Sequence, residues 1–322
     1  MDLIQVKQKI INALTDKQNK NIAITFHFSP DADAIGSAVA LALALQTLDK
    51  QVDIITPSYS SIFNPILKNI NIFKTVKKYY DLCILVDCST RERTINLDTI
   101  SKLLIVIDHH YNSNELIGNY YYNIPWPANT MIIFDLLLNM NIIITPQIAT
   151  ALYLGIFGDT AGFTNSNTNS LALYYASLLL EKHANINLIN RICKIKSLAM
   201  LKLINEAFTH IIHDSQYNIV YLVLMKEDLK KYNVTYDVVE YLMEELKNIA
   251  EADVAFLFIE STYNTKIKAR SRGNIFVNEI MAHFEGNGFP HAAGAVIAST
   301  NIYQIVDNVI LCTKNYINKL KK

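Results

Sequence analysis

The chain has 322 residues, 51% of them hydrophobic and 18% charged, with 29 basic and 29 acidic side chains in balance. That length admits two domains, and that apolar content excludes wholesale disorder. A net charge of zero gives no global field to attract long nucleic acid, so any nucleotide partner is predicted to be short and locally recognised.

The first twenty residues have mixed charge and helical spacing, and no apolar run reaches 18 residues, so neither a signal peptide nor a membrane span is predicted. Cys83, Cys88, Cys193 and Cys312 include no C-x-x-C pair, which argues against a zinc ribbon and for reduced thiols in a cytoplasmic protein. Continuous apolar runs at 22–28, 52–56, 82–87 and 103–108 read as strands covered on both faces of a parallel sheet. An Ala- and Leu-rich helix is predicted over 34–48, with further helices at 129–138, 146–157 and 170–181. Strand and helix in alternation predict a doubly wound α/β domain. A polar stretch, 183–196, precedes a helical 198–213. Beyond it, strands are predicted at 217–225, 254–260, 265–270 and 293–299, with helices at 237–249 and 301–320. The expected organisation is a domain at 1–190, a helical linker at 191–213, a smaller α+β domain at 214–322, and a cleft between the two domains.

Chemistry concentrates at the strand ends. The first apolar run leads into His27, Asp31 and Asp33; the third ends on Asp87; the fourth ends on Asp108, His109 and His110; a later helical run ends at Asp159. Open α/β sheets bind ligands outside the carboxyl ends of their strands, so these groups are expected to converge. Each alone has a plainer reading. Asp31 or Asp33 could be a helix N-cap, Asp87 or Asp159 a turn residue, and His27 a core histidine. Together they form a cluster of carboxylates that repel one another unless a cation neutralises them. Carboxylates mixed with imidazole and lacking thiol suit manganese, magnesium or an iron-like ion.

The order H-x-x-x-D-x-D-A-I-G-S, V-D-C-S, D-H-H and G-D-T-x-x-F across residues 27–163 resembles the DHH phosphoesterase superfamily. The resemblance implies that His27, Asp31 and Asp87 hold one divalent cation, manganese or magnesium. Asp33, Asp87, His109 and Asp159 would hold a second, with Asp87 shared. It further implies that His110 lies near the scissile phosphate, that Asp108 orients the histidine pair, and that the ions activate a water for in-line attack on phosphorus.

The second half resembles the DHH-associated domain. Its glycine-rich loop corresponds to Gly286-Asn287-Gly288-Phe289-Pro290-His291-Ala292-Ala293-Gly294, where Phe289 replaces the family histidine. Lys268, Arg270 and Ser271 match its basic strand, which makes them, with Gly286, Gly288, His291 and Gly294, the expected substrate-binding set. Length and domain order are similar to the nanoRNase and pAp-phosphatase branch. The implied substrates are short oligoribonucleotides or 3′-phosphoadenosine 5′-phosphate (pAp). Linear or cyclic dinucleotides, polyphosphate and a non-catalytic nucleotide-binding role are the alternatives. Family relatives are often dimers, so a homodimer is compatible with the resemblance; long nucleic acid and membrane are not expected partners.

Overall fold

In the computed structural model, which describes residues 2–110, 117–234 and 238–320, the four apolar runs of the first half become four of six strands. These strands are β1 (Asn21–Thr25), β2 (Gln51–Ile55), β3 (Asn71–Phe73), β4 (Tyr80–Val86), β5 (Ser101–Asp108) and β6 (Tyr120–Asn123). Their order in the sheet is β3-β2-β1-β4-β5-β6, and every neighbouring pair is parallel. β3 and β6 escape a reading of apolar runs because they have three and four residues and sit at the sheet edges.

Among the described residues, six α-helices accompany the sheet: α1 (Leu3–Thr15), α2 (Ala32–Gln46), α3 (Asn129–Asn139), α4 (Pro146–Asp159), α5 (Ser170–Glu181) and α6 (Ile186–Cys193). α2, α3 and α4 bury Ala, Leu and Ile side chains against Ile22, Ile24, Leu82, Ile84 and Val86 on one face of the sheet. The alternate residues Ala23, Cys83 and Leu85 point to the other face, where Leu97, Ile100 and Ile117 from irregular segments cover them. α6 lies within the stretch expected to be merely polar. Asn185 caps it, and Ile189 and Ile192 turn inward from among its polar residues.

The chain divides into two compact units, Met1–Ile195 and Lys196–Lys322. The second contains α7 (Leu198–Thr209), β7 (Ile212–Asp214), β8 (Ile219–Leu224), α8 (Lys226–Tyr232), α9 (Val238–Lys247), β9 (Val254–Glu260), β10 (Thr265–Ser271), α10 (Val277–Ala282), β11 (Asn287–Phe289), β12 (Ala292–Ile297) and α11 (Ile302–Leu320). Its sheet runs β11-β12-β10-β9-β8-β7, antiparallel except for β8 with β9. Phe256 and Phe258 pack towards α10 and α11, whereas Ala255, Leu257 and Ile259 pack towards α7 and α9.

The helix expected over 198–213 stops at Thr209, because residues 212–214 leave it to pair with β8. α7 places Leu203, Ile204 and Ala207 in the core of the second unit. The helix expected from 237 is described from Val238; position 237 lies outside the described residues. The glycine-rich stretch expected as a loop is largely a hairpin, β11 and β12 joined through Pro290 and His291. Among the described residues, no helix is long and apolar enough to cross a membrane.

Candidate metal centre

β1 and β4 are neighbours in space although β2 and β3 intervene in sequence, so the strand order reverses between them. Such a switch point leaves a crevice at the carboxyl ends of the strands. His27 and Asp31 follow β1 there, and Asp87 follows β4. The ligating atoms of these three side chains lie within 4.8 Å of one another. A second triad of the same compactness joins Asp33, His109 and Asp159. Asp87 links the two, with Oδ1 3.3 Å from His109 Nε2 and Oδ2 3.6 Å from His27 Nε2. His109 Nε2 also stands 3.3 Å from Asp159 and 3.7 Å from Asp33.

Backbone geometry aims several of these side chains. Asp87 has a positive φ of 55°, a conformation uncommon for non-glycine residues and more accessible to Asp than to most. Asp31 Oδ1 accepts hydrogen bonds from the amides of Asp33 and Ala34, so it is the N-cap of α2 as well as a member of the first triad. Asp33 is fully buried, and its carboxylate accepts from the amides of Asn129 and Thr130 at the start of α3. That approach requires Gly155 in α4, where a Cβ would collide with Asp33 Oδ1 and Thr130. His109 Nδ1 donates to the Trp126 carbonyl at 2.9 Å, which leaves Nε2 facing the carboxylates. Asn165 and Asn167 both donate to the Asp159 carbonyl, and Asn167 also donates to the Pro127 carbonyl.

The electrostatics are those of a site short of positive charge. Burial, reinforced by Asp87, pushes Asp33 up to about 7 against the counter-pull of His109. Burial and the neighbouring Asp33 raise Asp159 in the same way. Asp87 is also pushed up by burial, but the imidazoles of His109 and His27 outweigh that and hold it below the usual carboxylate range. Burial opposes protonation of His109, yet Asp87, Asp33 and Asp159 together raise its pKa. Two buried polar atoms at the heart of the cluster, Asp87 Oδ1 and His109 Nε2, have no hydrogen-bond partner. Orphaned acceptors in a carboxylate–imidazole cluster fit a divalent cation, which would neutralise the charge and occupy the lone pairs.

His110 differs from the triads around it. It lies close to Asp87 and His109, but its Nδ1 bonds Asp108 Oδ1 at 2.7 Å, so that nitrogen is already taken. The same Asp108 oxygen accepts from the amides of His109 and His110, which fixes the pair on the end of β5. Burial disfavours the imidazolium, but Asp108 and Asp87 raise His110 above its ordinary pKa.

The family model described as the DHH family, N-terminal domain, matches residues 21–156, and the DHHA1 domain model matches 216–315. A bifunctional oligoribonuclease and PAP phosphatase NrnA of Mycoplasma pneumoniae is 30% identical over 292 residues, covering 86% of this chain and 88% of that one. The chain belongs to the DHH family. It is a hydrolase acting on phosphate ester bonds. The bifunctional oligoribonuclease and PAP phosphatase NrnA of Mycoplasma genitalium is 29% identical, with 95% of this chain and 96% of that one covered. In fold, the chain is similar to an exopolyphosphatase-related protein from Bacteroides fragilis, with a TM-score of 0.85 at 24% identity over 99% of this chain and 98% of that one.

The expected substrate-binding residues lie together in the second unit. In the antiparallel register Arg270 stands opposite Ala292, which stands opposite Phe289; Lys268 stands opposite Gly294, which stands opposite Asn287. Directly opposed residues share a face, so two cationic side chains and an aromatic ring border a floor of small residues. Gly294 lies against the Ile267 carbonyl of β10 and Gly286 against the Gly294 carbonyl, so the close approach these glycines permit is to the sheet's own backbone. Gly288 has a φ of 144° and abuts Ala292 and Ala293. His291 Nδ1 lies 3.1 Å from Ser271 Oγ, which itself donates to the Ile275 carbonyl, so both side chains are tied into the turn beyond β10. Arg272 donates to the carbonyls of Lys247 and Ile249, closing the end of α9.

Asn129, Thr130, Gly155 and Trp126 were not legible as contributors. They act through an amide, a missing side chain or a carbonyl, which residue type does not advertise.

Proposed function

We propose that the protein hydrolyses short oligoribonucleotides to mononucleotides, pAp to AMP, or both, with two divalent cations, manganese or magnesium, shared through Asp87. The observation that carries this reading is the pair of triads joined at Asp87 in a chain that belongs to the DHH family. His27, Asp31 and Asp87 would hold one ion, and Asp33, Asp87, His109 and Asp159 the other. Bound there, the ions supply Lewis-acid polarisation of the phosphoryl oxygens and lower the pKa of a water.

The chain's own residues do the rest. Asp108 holds His110 through Nδ1, which fixes the orientation of the ring at the end of β5. Asp108 and Asp87 favour the protonated form of the ring against burial, which suits His110 to deliver a proton to the departing oxygen. Arg270 and Lys268 bind a non-reacting phosphate, and Phe289 offers a ring for a base to stack on. Stacking tolerates any base, which suits a substrate class defined by length more than by sequence. The two relatives named as oligoribonuclease and PAP phosphatase support this substrate class.

The test is direct. Purified protein with manganese is offered a 5′-labelled RNA trinucleotide, pAp and a 24-mer, with Asp87→Ala as control. Mononucleotide release from the trimer, lost in the variant and weak on the 24-mer, supports the oligoribonuclease reading. Phosphate release from pAp alone narrows the function to the phosphatase. Equal rates on trimer and 24-mer would overturn the preference for short substrates, and no release from any of the three would overturn the proposal.

A further inference from the structure

β1 pairs with its neighbours only as far as Thr25, so the backbone that carries His27 has no ladder to hold it. Two hydrogen bonds from a distant segment replace that ladder. The buried hydroxyl of Thr94 donates to the Phe26 carbonyl at 2.9 Å, and the Phe28 amide donates to the Arg93 carbonyl at 2.7 Å. They clasp the residues on either side of His27. Both come from the tight turn at Arg91–Arg93 and the residue that ends it, and this turn begins four residues after Asp87. The clasp therefore joins the chain that follows one shared ligand to the chain that carries another.

Among the described residues nothing anchors the second nitrogen of the His27 ring, since Nδ1 is buried without a hydrogen-bond partner while Nε2 faces Asp87. A metal-ligating histidine is ordinarily oriented by a hydrogen bond from its second nitrogen. Here the orientation falls to the backbone on both sides of the residue. We propose that Thr94 is a positioning residue for the metal centre, setting the direction of His27 through the Phe26 carbonyl. The inference rests on the metal reading above.

Thr94→Val removes the hydroxyl at nearly constant volume. Calorimetric titration of the full-length protein with Mn2+ alone, at a temperature well below unfolding, reads the affinity without any turnover. Loss of groups that orient metal ligands costs about 10–100-fold in affinity, and Thr94→Val is expected at the tenfold end because it acts one residue away. Thr94→Ser keeps the donor and is expected to stay within about twofold of the wild type. Thr150→Val removes another buried hydroxyl of the same unit, one that donates to the Pro146 carbonyl, and is expected to leave Mn2+ affinity unchanged. If valine does not fold, Thr94→Ala takes its place with the same expectation. Wild-type affinity in the Thr94 variant that folds, or an equal loss in Thr150→Val, overturns the proposal. Absence of Mn2+ binding by the wild type would instead overturn the metal reading itself.

Discussion

Replacing Asp33 with asparagine should stabilise the metal-free protein while weakening its response to metal. Asp33 is fully buried, and its carboxyl is raised from an ordinary 3.8 to about 7, chiefly by burial and then by Asp87. A group with its folded pKa raised in this way costs stability once pH exceeds the unfolded value, and the cost saturates above the folded value. At about 1.36 kcal/mol per unit, the full penalty above pH 7 is on the order of 4 kcal/mol. Asparagine carries no charge to desolvate but offers one acceptor where the carboxylate offers two. One of the amides of Asn129 and Thr130 is then left unsatisfied, at about 1–3 kcal/mol. The net gain at pH 8 is about 1–3 kcal/mol, or roughly 2–12 °C in Tm for a unit of this size. At pH 4.5 Asp33 is protonated in the folded wild type and most of the penalty is gone, so the variant should melt at or below the wild type. Saturating manganese should reverse the order at pH 8, because only the wild type fills the site that includes Asp33, a further gain of about 4.1 kcal/mol at about a thousandfold excess over that site's Kd. Scanning calorimetry in chelator at both pH values, then with manganese, reads all three conditions. A variant no more stable than wild type in chelator at pH 8, or a gain independent of pH, would refute the reasoning.

Other consequences are equally open to measurement. His110→Ala should lower kcat by about 10²–10⁴ while Mn2+ affinity moves only a few-fold, since its Nδ1 is committed to Asp108; a calorimetric and a kinetic titration separate the two. Cation binding should release about one proton or more at pH 6.5, because Asp33, Asp159 and His109 all have raised pKa values in the metal-free site. Affinity should therefore rise from pH 5.5 to 8, and titrations in buffers of different ionisation heat count the protons. Gly155→Ala drives a methyl into Asp33 and Thr130 and should destabilise the protein by about 1–3 kcal/mol, measured by denaturant unfolding.

Much of this centre was legible because its residues follow apolar runs that could only be buried strands. His27, Asp87, Asp108, His109 and His110 stand within two residues of such runs, and the strand order brings them to one edge. Asp31 shows how a plain reading and a functional one coexist. One oxygen caps α2, and the side chain still belongs to the first triad. Other features were hidden for physical reasons. Thr94 lies in an irregular turn with no period to place it near β1. Trp126 contributes a carbonyl, and Gly155 contributes the absence of a side chain. In the second unit, glycines read as loop because their hairpin is three residues long on one side, and close packing of backbone on backbone leaves no apolar pattern.

The way the carboxylates are held decides what the centre can be. Asp31 is bound by the amides at the start of α2, Asp33 by those at the start of α3, and Asp108 by the amides of His109 and His110. Amides orient a carboxylate without neutralising it, whereas a lysine or arginine would supply a full positive charge and remove the demand for one. With partners that are amides and imidazoles, the cluster keeps its geometry and its charge deficit together. That combination costs folding free energy, as the raised Asp33 and Asp159 show. Structures retain such costs where function needs them. A cation recovers the cost only by binding here, so the same burial that weakens the metal-free fold strengthens the demand for metal.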